Sequence, residues 1–345
     1  MSLTSEIFEQ PQVMGQMIAT QRERFENLAK EIHKRNPNYV FIAARGTSDN
    51  AARYANYLWG SYNRMALALA TPSLFTFYQR PPVLHDVLVI GISQSGQSPD
   101  IVAVVEEGKK QNCMTLALTN APQSPLAKMA DAVVDLQAGP EKAVAATKTY
   151  TAELMAVAML SVALNPSPER WAALARVPEW AHQVLSLNEK IAAWAQRYTF
   201  MRQCVVLGRG YNYATAFEWS LKLKELTYTI AEPYSSADFL HGPIAMVDRG
   251  FPILAVVPSG LVYENMLELL QKLKHTHHAE LVVISNEDSA LSLADTPICL
   301  PTDVPEWLSP IISILPAQLF AYHLTAARGY DTESPRTIQK VTETH

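Results

Sequence analysis

The sequence predicts an α/β protein made of two tandem copies of one domain, each a parallel β-sheet with helices on both faces. Three observations carry this expectation. Short apolar runs alternate with longer helical stretches along the whole chain. The order of runs and turns in the first half recurs in the second. Five identical pairs at the ends of these runs, Arg45/Arg209, Gly46/Gly210, Ser95/Ser259, Gly96/Gly260 and Asp131/Asp295, are each separated by 164 positions. A single offset shared by five pairs points to duplication of a domain-sized unit rather than to a short solenoid repeat.

In the first half the predicted strands are Tyr39–Ala44, Val87–Ile90, Met114–Leu118 and Ala132–Leu136. Their counterparts are Cys204–Leu207, Phe251–Val257, Leu281–Ile284 and Pro297–Leu300. An apolar helix over Thr149–Leu164 matches another over Ile311–Ala327. The join falls in a helical connector, residues 166–195, where Pro166, Pro168 and Pro178 cluster. The domains expected are therefore 1–165, the connector, and 196–345. Buried strands joined by helical crossovers imply parallel sheets, whose ligands bind beyond the strands' carboxyl ends.

Composition narrows the class. With 48% hydrophobic and 18% charged residues, the chain can bury sizeable cores. A net charge of -5 argues against a nucleic-acid partner. No long apolar run signals a membrane span and the N-terminus lacks a secretory pattern, so a cytoplasmic protein is expected. Cys113, Cys204 and Cys299 read as small buried hydrophobes. The nine histidines lack ligand spacing, and neither a metal nor another cofactor is expected.

The turn Ser93-Gln94-Ser95-Gly96-Gln97-Ser98 follows the second strand and opens a helix, with Ser98 as N-cap, Pro99 at the first helical position and Asp100 in the first turn. Free backbone N–H groups, the helix dipole and four neutral side-chain donors converge there, which is chemistry for a phosphate held without a metal. Gly46-Thr47-Ser48 ends the adjacent strand. Neither the Walker A nor the dinucleotide glycine spacing is present. The matching turn, Val257-Pro258-Ser259-Gly260-Leu261, has lost most of its hydroxyls, so one phosphate site per chain is expected, in the first half.

These residues resemble the SIS (sugar isomerase) domain family. The chain from about residue 15 onward resembles the isomerase half of glutamine–fructose-6-phosphate aminotransferase and, more closely, stand-alone SIS-type glucosamine-6-phosphate deaminases. The resemblance implies two tandem flavodoxin-like domains, with Ser93, Gln94, Ser95 and Ser98 on the sugar phosphate and Thr47 and Ser48 beside them. It places the backbone of Val144 and Ala145, in the segment Ala138–Lys148, along the sugar hydroxyls. Ala146 stands where the synthase generally carries serine.

In the second half, Glu218, Lys222 and Glu225 fall on one face of a helix that begins beyond a strand's carboxyl end. His241 sits in a Gly-Pro turn. Moving a proton between C1 and C2 of an open-chain sugar needs a carboxylate base, and opening the ring needs a second acid or base; Glu225 and His241 fit these roles. The resemblance implies that Lys222 and Glu218 support Glu225, that His241 comes from the neighbouring subunit of a homodimer with shared sites, and that Lys340 in the tail folds over the site. The sequence Lys340-Val341-Thr342-Glu343-Thr344 looks more like the deaminase branch.

The expected function is isomerising deamination of glucosamine 6-phosphate to fructose 6-phosphate and ammonia, with a small-molecule sugar phosphate as partner. A glutamine-dependent synthase is disfavoured because no glutaminase domain precedes the site, though a separate glutaminase partner is conceivable. The alternatives are a deglycase of a fructosamine 6-phosphate, an ammonia-dependent synthase and a non-catalytic sugar-phosphate sensor.

Overall fold

The structure is a computed structural model that describes residues 2–340. Among the described residues ten strands form two five-stranded parallel sheets. The first contains β1 (Tyr39–Ala43), β2 (Ala66–Leu69), β3 (Val87–Ile92), β4 (Met114–Thr119) and β5 (Ala132–Asp135), ordered β2-β1-β3-β4-β5. The second contains β6 (Gln203–Leu207), β7 (Ile230–Tyr234), β8 (Pro252–Val256), β9 (Glu280–Ser285) and β10 (Thr296–Cys299), ordered β10-β9-β8-β6-β7. These are one topology used twice, the flavodoxin-like order. Its switch point, the crevice where an α/β sheet takes its ligand, lies between β1 and β3 in one sheet and between β6 and β8 in the other.

The chain forms two compact units. The first-sheet unit contains Gln12–Lys142, Lys148–Ala175 and residues 338–340. The second-sheet unit contains residues 2–11, Ala143–Thr147 and Arg176–Thr337. Within the first, the helix Lys148–Leu164 is buried along its whole length and packs on the helix Gly46–Asn63. Within the second, the helix Ser309–Ala327 packs against Asn188–Gln196 and Tyr213–Lys222. By length and composition alone that helix could span a bilayer, a possibility that residue counting passed over; in the fold most of it is buried.

Two strands escape the sequence pattern, and both are sheet edges. β2 is Ala66-Leu-Ala-Leu and only half-buried; β7 contains Glu232 and Pro233. An edge strand tolerates a proline and needs no continuous apolar run. Cys113 and Cys204 are buried as expected, but Cys299 is exposed. β10 is an edge strand covered on one face only, so its alternate residues meet solvent.

The Asp131/Asp295 identity has a structural meaning. Asp131 accepts the N–H of Thr115 at 3.1 Å and pairs with Lys109 at 3.3 Å. Asp295 accepts the N–H of Leu281 at 2.9 Å and pairs with Lys274 at 2.7 Å. Each carboxylate thus ties the start of a central strand to the preceding helix.

Candidate active site

At the switch point of the first sheet, the turn after β3 is held rigidly by the end of β4. Ser93 N–H donates to Leu118 O at 3.1 Å, Asn120 N–H to Gln94 O at 3.1 Å and Leu126 N–H to Gly96 O at 3.2 Å. Gly96 has φ +61°, and a Cβ there would lie 2.1 Å from Ser124 Oγ, so only glycine fits. Ser98 is the N-cap residue and Pro99 the first helical residue of Pro99–Lys110, as the sequence predicts. The Ser98 hydroxyl makes no capping bond to its own helix, and Ser95 Oγ accepts only a long 3.3 Å bond from Gln97 N–H. Ser93 Oγ accepts from Gly96 N–H at 3.1 Å.

Across the crevice, Thr47 and Ser48 lie in the first turn of Gly46–Asn63. Thr47 is half-buried, whereas Ser48 is buried and donates its hydroxyl to Glu153 at 2.8 Å. Sequence reading missed an ion pair here: Arg45 Nε reaches the fully buried carboxylate of Asp100 at 2.8 Å, joining the end of β1 to the helix after β3. The Arg45/Arg209 identity was its only trace. Behind the crevice, burial pushes the Asp49 carboxyl above its usual range despite Arg53 and Arg45.

In the second-sheet unit, Glu218, Lys222 and Glu225 do form one cluster. Lys222 Nζ is 3.4 Å from Glu218 and 2.5 Å from Glu225 Oε2. Glu218 and Lys222 are buried, while the Glu225 side chain is 24% exposed and can meet a ligand. Burial works against the charge on Lys222, but the carboxylates of Glu225 and Glu218 outweigh it and raise its pKa above the ordinary lysine range.

Glu225 does not sit on an ordinary helix. The α-helix ends at Lys222, and Leu223–Thr227 is a π-helical turn closed by Tyr228 at φ +56°. Such turns are rare and concentrate at functional sites. Arg328 braces this one, donating to Thr227 O at 2.7 Å, Thr229 Oγ1 at 2.9 Å and the carbonyl of Met201. Burial holds its pKa below the usual arginine value. Arg336 stacks 4.3 Å over the Tyr228 ring and donates its backbone N–H to the Tyr228 hydroxyl at 2.9 Å.

Although its helix begins beyond a strand's carboxyl end, Glu225 itself does not stand there. The 10-residue helix Tyr213–Lys222 starts beyond the carboxyl end of β6 and runs back about 15 Å. That length matches a five-residue strand, about 16 Å long. Glu225 therefore lies at the amino edge of the second sheet, in the turn that feeds β7. His241 lies at the other edge. It follows β7 and the short helix Ser236–Leu240, is exposed, and precedes Gly242 at φ +143°. Its ring has no hydrogen-bond partner among the described residues.

Val144 is half-buried and Ala145 buried, in the strip Ala143–Thr147 of the second-sheet unit. The buried Glu6 carboxylate accepts the N–H of Ala143, with both oxygens at 3.3 Å. Lys340, in the first-sheet unit, is bonded to Glu141 at 2.6 Å. Val341 to Thr344, on which the deaminase-like tail pattern rests, lie outside the described residues.

Two parallel sheets of one topology, with a serine-lined switch-point turn in one and a Glu–Lys–Glu cluster in the other, define a doubly wound α/β protein, and comparison with known proteins gives its family. The SIS domain pattern matches residues 34–163 and 201–328, and the chain belongs to that family. The chain is 33% identical over 347 residues to the isomerizing glutamine–fructose-6-phosphate aminotransferase of Thermococcus kodakarensis, covering 98% of this chain and 57% of that one. It thus spans little more than half the length of the curated relatives it matches. Among solved structures it is similar to the C-terminal domain of glucosamine-fructose-6-phosphate aminotransferase from Francisella tularensis, with a TM-score of 0.88, 29% identity, and 96% and 98% of the two chains covered. A glucosamine-6-phosphate deaminase from Thermotoga maritima shares the fold, with a TM-score of 0.76, 22% identity and 99% of each chain covered.

Proposed function

We propose that this chain is a sugar-phosphate isomerase acting on an amino-sugar phosphate, and that its net reaction is isomerising deamination of glucosamine 6-phosphate. The observation that carries the reading is the buried Lys222 ammonium holding Glu225 by one carboxylate oxygen. Such a base is oriented by the fold, and its other oxygen makes no hydrogen bond to described residues.

In this reading the phosphate is taken by the turn Ser93–Ser98, with Gln94 and Thr47 as further donors, and the Val144–Ala145 backbone receives the hydroxyls. Ring opening leaves an aldehyde at C1 and the amine on C2. Glu225 removes the C2 proton, the electron pair moves toward O1, which takes up a proton to give an enolamine, and the first proton returns at C1 as the nitrogen gives one up. The product is an imine at C2, which water hydrolyses to a ketone and ammonia. Glucosamine 6-phosphate and water thus give fructose 6-phosphate and ammonia, with no external oxidant or reductant.

His241 is proposed as the ring-opening group. Since His241 and Glu225 lie at opposite edges of their own sheet, their joint use calls for a homodimer in which each histidine serves the partner's glutamate. Lys340 is proposed to complete the site from the tail. The family's SIS relatives and the Glu–Lys–Glu cluster support catalysis rather than sensing.

The test is ammonia release from a panel of amino-sugar and fructosamine phosphates, with fructose 6-phosphate plus ammonia run in the opposite direction. Release from glucosamine 6-phosphate is expected. Release only from fructosamine 6-phosphates would make the chain a deglycase, and turnover only in the reverse direction an ammonia-dependent synthase. Binding without turnover of any of them would leave a sensor.

A further inference from the structure

Glu141 has no part in the roles assigned above, yet its side chain is fully buried. It lies in the loop beyond the carboxyl end of β5. The strands of the first sheet are all parallel, so this is the edge from which the Ser93 turn projects. A buried carboxylate is costly unless it is paired and hydrogen-bonded. Here Oε1 accepts the N–H of Thr149 at 3.1 Å, and Oε2 accepts the Thr149 hydroxyl at 2.7 Å and Lys340 Nζ at 2.6 Å. Thr149 is in the first turn of Lys148–Leu164, where the helix dipole favours a negative charge. The acceptor is therefore fixed by the fold. The donor comes from a terminal segment with no regular helix or strand between Tyr330 and Lys340. A lysine on such a segment ordinarily samples solvent.

We infer that Glu141 is the positioning residue of the tail lysine: it fixes the Lys340 ammonium at the ligand-binding edge of the first sheet, and it acts on turnover only through that lysine. The use of Lys340 in turnover rests on the function proposed above; the Glu141–Lys340 latch does not.

Two measurements on the full chain test it. The first is the rate at which Lys340 is acylated by an amine-reactive ester, read by mass spectrometry of the C-terminal peptide. Glu141→Gln should raise that rate about 10-fold or more, the equivalent of losing one charge-assisted hydrogen bond. The second is a double-mutant cycle on turnover. Glu141→Gln should lower kcat far more than it raises KM, Glu141→Asp should recover part of the loss, and Glu141→Gln should cost nothing further in a Lys340→Met chain. Unchanged acylation in Glu141→Gln would overturn the inference. So would an equal kcat loss in the Lys340→Met background, because Glu141 would then act through Thr149 and the fold. Should Glu141→Gln not fold, Glu141→Asp keeps the charge, shortens its reach and is expected to show the same rise in acylation, smaller in size. A wild type inactive on every sugar phosphate would sink the functional reading, and acylation alone would then decide the role of Glu141.

Discussion

The turn after β3 and the turn after β8 occupy the same place in the repeat and have opposite contents. In the first, Gly96 turns the chain at φ +61° and three serines and two glutamines flank it. In the second, Gly260 turns at φ +147°, and the Glu306 carboxyl group lies where its Cβ would be, accepting the N–H of Leu261 at 2.9 Å. Ser259 is used internally: its N–H donates to Asn286 Oδ1 at 2.7 Å and its hydroxyl accepts from the Asn286 amide N–H at 2.8 Å. Backbone N–H groups at a strand-to-helix turn attract an anion in either case. In the second sheet the protein supplies that anion itself. In the proposed function the first copy takes the substrate phosphate at this position; in the second, Glu306 fills the equivalent position and the Glu218–Lys222–Glu225 cluster lies at the opposite edge of the sheet.

The sharpest way to break this division of labour is to remove the base. Glu225→Gln should lower turnover about 10²–10⁴-fold, the usual contribution of a general base, with little change in KM. Normal turnover in that variant would return the cluster to a structural role. Next in size is a mixing experiment. Glu225→Gln and His241→Asn chains should each be nearly inactive alone, and should regain about a quarter of wild-type activity after random subunit exchange, because half the dimers carry one intact shared site. No recovery after verified exchange would mean that each site is built within one chain.

A direct comparison of the two turns follows. Ser95→Ala should raise KM roughly 10- to 100-fold, the value of one hydrogen bond to a charged group, while Ser259→Ala at the equivalent position should leave KM unchanged. Equal effects from both would contradict the assignment of the phosphate to the first sheet.

The smallest effect concerns what the two copies share. Burial alone would raise the Asp131 pKa, but its bonds to Thr115 and Lys109 outweigh burial and lower it. Its stabilising contribution is therefore present above the unfolded-state value near 3.9 and is lost as pH falls through the lower folded-state value. Asp131→Asn should cost a little stability at neutral pH and flatten the acid limb of a melting-temperature profile. A profile identical to that of the wild type would show the pairing to be inert, which its 42% side-chain exposure makes the nearest competing outcome.

The repeat, the parallel sheets, the serine-rich turn and the Glu–Lys–Glu spacing were all legible in the residues, because the strands and turns that define them follow short-range pattern. Apolar runs specify buried strands, glycine and serine after a strand specify the turn, and the spacing of Glu218, Lys222 and Glu225 puts them on one face of a regular helix. Edge strands β2 and β7 were invisible to that logic, since half their surface meets solvent and their composition is that of a loop. The rest depended on how distant segments pack. The tertiary structure turned Glu225 into the π-helical turn and carried it to the edge of the sheet away from His241, because a helix returning along a strand must cross the sheet's full height. It also paired Arg45 with Asp100, Glu306 with Leu261 and Lys340 with Glu141, at sequence separations of 55, 45 and 199 residues. No local pattern announces such a partner, because a charge on a loop reads as solvated until the fold buries the group that faces it.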